Sequence, residues 1–233
     1  MTKRSSQALA ALLIVLGLAG CGDQELAQRK AFIEFLQTRI IDKPGVHVPS
    51  LTPELEDKLG VYAKHYAVIT AFNADMDQSV GGFLPKAMSI ASVTSISDAV
   101  TRREAIAAVR QQMSDMRAAL AQKLAAAEVR RAALTQPEDL KPVFEAAFER
   151  DVRSTALGFQ HELPLFESAM TSILTLTDYL SSHRDKVTVQ GSNVSASDSA
   201  TRAEVTALLD DINKKTQGLQ ESQRRLTKIA TGS

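Results

Sequence analysis

The chain has 233 residues, 27 Lys and Arg against 27 Asp and Glu, 44% hydrophobic residues, 5% aromatics and no Trp. A neutral chain lacks the basic footprint of a nucleic-acid binder and the polybasic stretch that reinforces contact with anionic lipid; so few aromatics exclude an aromatic-lined sugar platform. One cysteine, Cys21, leaves no disulfide to assist folding, so stability must come from the packed core.

Lys3 and Arg4 open the chain, and the thirteen residues Ala8 to Gly20 are uncharged and mostly apolar. A positive start, a short apolar run and small residues before a cut are the layout of a secretory signal. As a helix that run reaches about 20 Å, whereas a hydrocarbon core of about 30 Å needs ~20 apolar residues, so it is too short for a permanent span. Leu18-Ala19-Gly20-Cys21 resembles the bacterial lipobox. That resemblance implies cleavage before Cys21, a diacylglyceryl group on its thiol and acylation (palmitate-type chains) of its new amine. Residues 1–20 then read as a lipoprotein signal peptide and 21–233 as one helical domain tethered by lipidated Cys21. The competing readings are a buried structural thiol, which would not follow such an apolar run, and an ordinary secretory cleavage site. Two or more acyl chains hold stably, at ~0.8 kcal/mol per buried methylene, so the membrane is the first expected partner. Gly22 rather than Asp follows the cysteine, which by enterobacterial sorting logic favours the outer membrane over the inner, facing the periplasm. The 27 basic residues less Lys3 and Arg4 leave 25 in the mature chain, still near balance with 27 acids.

The first predicted helix spans 24–41, where Leu26, Phe32, Ile33, Leu36 and Ile40 recur at three- and four-residue steps. The stretch DKPGVHVPSLTPE carries three prolines and a glycine and must be an extended connector. Thr52-Pro53-Glu54 restarts a helix with a capping hydroxyl, proline at its first position and an acid behind it. That helix is expected to run to about Met76 with Leu55, Leu59, Tyr62, Tyr66, Ile69 and Phe72 on its buried side. Gly81-Gly82 then breaks the pattern. Residues 83–97 carry one charge, Lys86, and read as a buried segment apolar on most sides. Ser97-Asp98 is expected to cap a long helix to about Leu134, with a coiled-coil-type seam of Ile106, Val109, Met113, Met116, Leu120, Leu124 and Ala127. Gln136-Pro137 begins another helical stretch to about Ser182, which Gly158 and Pro164 should interrupt, Pro164 by a kink or split. In KVTVQGSNVSASD, Val187 and Val189 alternate with polar residues around Gln190-Gly191-Ser192-Asn193, the pattern of a small hairpin or ordered loop near 186–195. Asp198 or Ser199 begins the last helix. Its seam reads Val205, Leu209, Ile212, Thr216, Leu219, Gln223, Leu226 and Ala230, and the helices 98–134 and 199–230 are expected to pack through their seams.

No residue is singled out as catalytic, cofactor-binding or metal-ligating. His47, His65, His161 and His183 are scattered, and His161-Glu162 leave a helix about 100° apart. Asn73-Ala74-Asp75-Met76-Asp77 resembles the opening of a calcium loop, but Gln78 and Leu84 stand where glycine and glutamate are required. No nucleophile elbow, Walker loop, zinc pair or dinucleotide fingerprint occurs. Arg130-Arg131 and Arg224-Arg225 read as solvated helix faces.

The stretch AFIEFLQTRIIDKPGVHVPSLT, placed directly after a lipobox and its helix, resembles the uncharacterised YiaF-like family of proteobacterial lipoproteins over nearly the whole chain. The resemblance implies envelope localisation and carries no catalytic residues to transfer.

The resulting expectation is an all-α, elongated antiparallel bundle of five or six helices. Functionally it is a non-enzymatic, periplasm-facing lipoprotein without cofactor. It acts as an envelope scaffold or protein-interaction module, with no nucleic-acid partner, and binds a protein through a helical face or the connector around Gly45 to Pro49. The connector's alternative role is a plain spacer. The competing functional reading is a membrane-active protein that inserts the apolar segment 83–97 into lipid.

Overall fold

A computed structural model describes residues 22–81 and 93–232. Helix α1 (22–36) continues through a π-turn at Gln37–Ile41, so the helix expected over 24–41 is present, with Phe32, Phe35, Leu36 and Ile40 buried. Residues 42–52 form neither helix nor strand, as Pro44 and Pro49 within them dictate. Thr52 ends this connector by accepting the Leu55 amide, and α2 (Pro53–Leu59) starts on Pro53 with Glu54 and Glu56 in its first turn. The single helix expected to Met76 is broken at Gly60, where φ is +54° and a short 3-10 turn, Gly60–Tyr62, leads into α3 (Ala63–Met76). Glycine is favoured there by its positive φ; a Cβ would lie 2.0 Å from the end of the Gln28 side chain of α1, which would have to move aside.

Most of the low-charge segment 83–97 lies outside the described residues. Its described end begins with Val93, half-buried against the core, and leads into α4 (Ile96–Thr101). Ser95, not Ser97-Asp98, is the cap and accepts the Asp98 amide, and the helix turns at Arg102 before α5 (Arg103–Ala132). The expected seam of α5 is buried from Ile106 to Ala127, with Leu124 half-buried. Helix α6 (Lys141–Phe148) starts four residues after Pro137, with Pro142 in its first turn. A π-turn at Glu149–Ser154 then leads into α7 (Thr155–Ser182).

Neither Gly158 nor Pro164 interrupts α7. Pro164 sits inside a continuous helix, so the expected split does not occur; it leaves the Gln160 carbonyl without its amide partner, and Leu163, Phe166 and Met170 are buried around it. Gly158 serves packing, since a Cβ there would stand 2.4 Å from Cδ1 of Ile229. Strands β1 (Val187–Gln190) and β2 (Asn193–Ala196) form the hairpin, with Val187 opposite Ala196. Gly191 has φ +60° and Ser192 does not share it, the pattern of a type II′ turn. Asp198 caps α8 (Ser199–Thr231) through the Thr201 amide at 2.8 Å.

Helix α7 lies between α5 and α8 and runs antiparallel to both. Helix α7 is therefore the main neighbour of both: Ile106, Val109 and Met113 of α5 meet Leu226 of α8 in one cluster with α7, while Met116, Leu120 and Ala127 face α1, α3 and α6. On α8 the expected Val205, Leu209, Ile212, Leu219 and Leu226 face inward, but Thr216 and Gln223 are exposed, and Leu208, Lys215, Ser222 and Ile229 complete the inward face. Three apolar clusters follow along the bundle. The largest joins α1, α3, α6 and the C-terminal half of α5; the second joins α5, α7 and α8; the third lies under the hairpin around Leu176, Leu180, Val187 and Val205. The fold is all-α apart from this two-stranded hairpin, as the periodicity predicted.

Candidate functional site

Leu18, Ala19, Gly20 and Cys21 lie outside the described residues; α1 begins at residue 22, directly after them. The four histidines stay apart. His65 packs edge-on against Tyr62 and Phe144, and burial lowers its pKa. His183 stacks on Tyr179 at 4.1 Å, His161 is exposed beside Glu162, and His47 is exposed in the connector. The calcium-loop look-alike is helical: Asp75 pairs with Lys123 at 2.6 Å, and Asn73 donates to Asp77 at 3.4 Å. Among the described residues no group of three or more His, Cys, Asp or Glu is placed to hold a metal ion, and no helix is long and apolar enough to cross a membrane.

The arginine pairs divide. Arg130 and Arg224 are exposed, as expected. Arg131 instead bridges Glu128 and Glu145 above the Phe148 ring. Arg225 clamps Glu162 with two hydrogen bonds, of 2.6 and 2.9 Å, and holds that buried carboxyl down at about 2. A second tie joins α7 to α8: Ser172 donates to Asp211 at 2.5 Å, and Lys215 donates to Ser172 at 2.6 Å and to Asp211 at 2.9 Å. A serine beside a lysine has the composition of a nucleophile and its base, but a base must be neutral. Here Lys215 donates to Ser172 and Ser172 spends its proton on Asp211, the reverse of a base taking that proton, so the cluster is a polar tie.

The chemistry that stands out gathers under the connector. Arg150, in the π-turn, donates to the carbonyls of Lys43 and Gly45, the latter at 3.1 Å. Tyr66 of α3 donates to the carbonyl of Pro49 at 2.8 Å. Val48 and Leu51 pack on the main core, and the end of α8 arrives so close that a Cβ on Gly232 would lie 2.2 Å from the Gly45 nitrogen. The connector thus lies flat between two open clefts. One, of about 310 Å³, is lined by Pro44, Val46, Arg150, Ser154, Lys228 and Ile229. The other, of about 400 Å³, is lined by Phe35, Arg39, His47, Pro49, Leu55 and Lys58.

Beneath it sits Asp151. None of its side-chain surface reaches solvent, and neither carboxyl oxygen has a hydrogen-bond partner; Arg150 Nε, likewise unpartnered, stands 3.9 Å away. Burial pushes this carboxyl up to about 7, against the pull of Arg150 and of the His47 amide, which approaches without closing a hydrogen bond of ordinary geometry. Burial first, and then the proximity of Asp151, raises the Tyr66 phenol well above its usual range. π-turns inside helices often mark functional sites. Arg150 and Asp151 carry no obvious mark in the sequence because they stand in a charged run, Glu149-Arg150-Asp151. The available signal was spacing: Phe144, Phe148, Asp151 and Thr155 step by four, three and four, which places a carboxylate on the buried stripe.

A family profile described as protein of unknown function (DUF3053) matches residues 9–227. The uncharacterised protein YiaF of Escherichia coli K12 is 28% identical over 219 residues, covering 92% of this chain and 91% of that protein. The YiaF of Shigella flexneri matches to the same extent. No solved structure matches the chain.

Proposed function

Because this chain belongs to the DUF3053 family, a family of unknown function, we propose a role from its own geometry. The protein is a lipid-anchored, periplasm-facing component of the bacterial envelope that acts as a scaffold or protein-interaction module, and the connector 42–52 is its binding face. The observation that carries this reading is the connector itself: irregular backbone held in place by Arg150 and Tyr66 between two open clefts. Ordered loops on a rigid scaffold are where binding residues concentrate. The path from anchor to connector also supports it. About twenty residues of helix separate Cys21 from the connector, which at 1.5 Å per residue sets the binding face about 30 Å from the lipidated end of α1.

A photo-crosslinking residue at His47, compared with one at Glu204 on the exposed face of α8, tests the reading in intact cells. Defined adducts from His47 and none from Glu204 are expected. Identical adduct patterns from the two positions, or none from His47, would overturn it.

A further inference from the structure

We infer that the lipid anchor has no free spacer behind it and that the domain is seated directly on the bilayer, with the first turns of α1 and the turn Gly60–Tyr62 against the headgroups. The inference rests on the preceding reading for the acylation of Cys21 and adds to it the face that meets the lipid.

A tethered domain stands off its membrane only where chain between anchor and fold is free to extend. Here the fold takes hold almost at once. Residue 22 is already helical, and Glu25 accepts a hydrogen bond from the Tyr62 hydroxyl. Burial, and then the charge of Glu25, pushes that phenol up to about 12, so it keeps the proton it donates. One turn on, Arg29 pairs with Asp139 at 3.3 Å, and its side chain is only 20% exposed. Phe32 then stacks on Tyr62 with ring centroids 5.8 Å apart. Within three turns, α1 is bound both to the junction of α2 and α3 and to the segment before α6. One peptide unit and three helical steps separate Cys21 from Glu25, about 8 Å of chain. The headgroup layer on each side of a bilayer is itself about 5–8 Å deep. An acylated Cys21 therefore brings the first fixed turn of the domain to the headgroups.

The side chains beside that point suit such a boundary. Gly60 lies against Gln28, since a Cβ on it would meet the end of that side chain, and the turn therefore runs alongside the first turns of α1. Ala27 and Val61 are exposed apolar residues there, Val61 by 58%, and Asp23 and Gln24 are exposed and polar. The charges at this end are mixed, Asp23, Glu25 and Asp139 against Arg29 and Lys30. Contact is thus imposed by the short tether and not by attraction to anionic lipid.

Val61→Cys gives the full-length acylated protein one free thiol, because Cys21 is the only other cysteine. A nitrobenzoxadiazole label on that thiol, with the protein in phosphatidylcholine vesicles carrying a headgroup spin label, reads the distance to the lipid surface. The label at Val61 should lose about half its emission. A label on Ser192→Cys, at the hairpin that the 28 residues of α7 carry about 40 Å away, should lose less than about a tenth. Inserting about twenty Gly and Ser residues after Gly22 should leave flotation with the vesicles unchanged and bring Val61 down to the Ser192 level. Quenching at Val61 no greater than at Ser192, unchanged by the insertion, or seen only after phosphatidylglycerol is added would overturn the inference. A full-length protein that does not float with the vesicles would sink the anchor and the seating together, whereas flotation with Val61 unquenched sinks the seating alone.

Discussion

Arg225→Gln offers the sharpest check on how α8 is held. The Glu162 side chain is 4% exposed, whereas Arg225 is 46% exposed and reaches it with two short hydrogen bonds. Removing one partner of a fully buried ion pair costs about 3–5 kcal/mol, because a charge is left stranded. Arg225 is half in water, so screening lowers the figure, and the expected loss is about 2 kcal/mol. The depressed carboxyl pKa agrees. A fall from 4.5 to about 2 would be worth ~3 kcal/mol unscreened and about 2 after screening. For a chain of this length the melting temperature should drop by about 4–8 °C. Arg224→Gln, one residue away on the wet side, should change stability by less than about 0.5 kcal/mol. The pH dependence has a definite sign: the pair's contribution is fully present above about pH 4.5, where the unfolded glutamate is ionised, and is lost as pH falls through the folded value near 2. The gap between wild type and Arg225→Gln, measured by urea unfolding, should therefore shrink by about half between pH 6 and pH 3. Equal effects of the two arginine substitutions, or a gap independent of pH, would refute the assignment of Arg225 as the clamp.

Leu120→Ala, at a position only 1% exposed, should cost about 2–5 kcal/mol through lost transfer energy and a cavity, whereas Gln223→Ala, on the exposed face of α8, should be nearly silent; comparable losses in thermal melts would mean the buried faces are misassigned. Asp151→Asn should stabilise the protein near neutral pH, because the native carboxyl titrates near 7 and the unfolded one near 4, so wild-type stability falls as pH rises between those values and is flat above. A fully sealed carboxyl would make the gain ~4 kcal/mol; local relaxation around the charge reduces it to about 1–3 kcal/mol, and the difference should vanish below about pH 4 in denaturant titrations. Cys21→Ser should abolish incorporation of labelled acyl chains and leave precursor or an unanchored form, and equal labelling of wild type and variant would remove the anchor from the proposed function.

The helices, the extended connector, the capping Thr52 and Asp198 and the hairpin were all legible in the sequence, because each follows from interactions within a few residues: apolar periodicity, proline's missing amide, a hydroxyl or carboxylate meeting an amide three positions on, glycine's access to positive φ. What tertiary packing decided lies where two distant segments compete for the same space. Gly60 ends a continuous helical pattern by taking a positive φ beside α1. Pro164 leaves α7 unbroken because buried neighbours on both sides outweigh one missing hydrogen bond. The inward face of α8 turned from Thr216 and Gln223 to Lys215 and Ser222 because its partner is α7, whose Ser172 accepts from Lys215, a polar tie that no heptad count includes. Asp151 is the extreme case. Its neighbours in sequence are charged and give it the look of a surface residue. Only the arrival of the connector from more than one hundred positions earlier, with Tyr66 from α3, seals it from water and turns an ordinary aspartate into a group that titrates near neutrality.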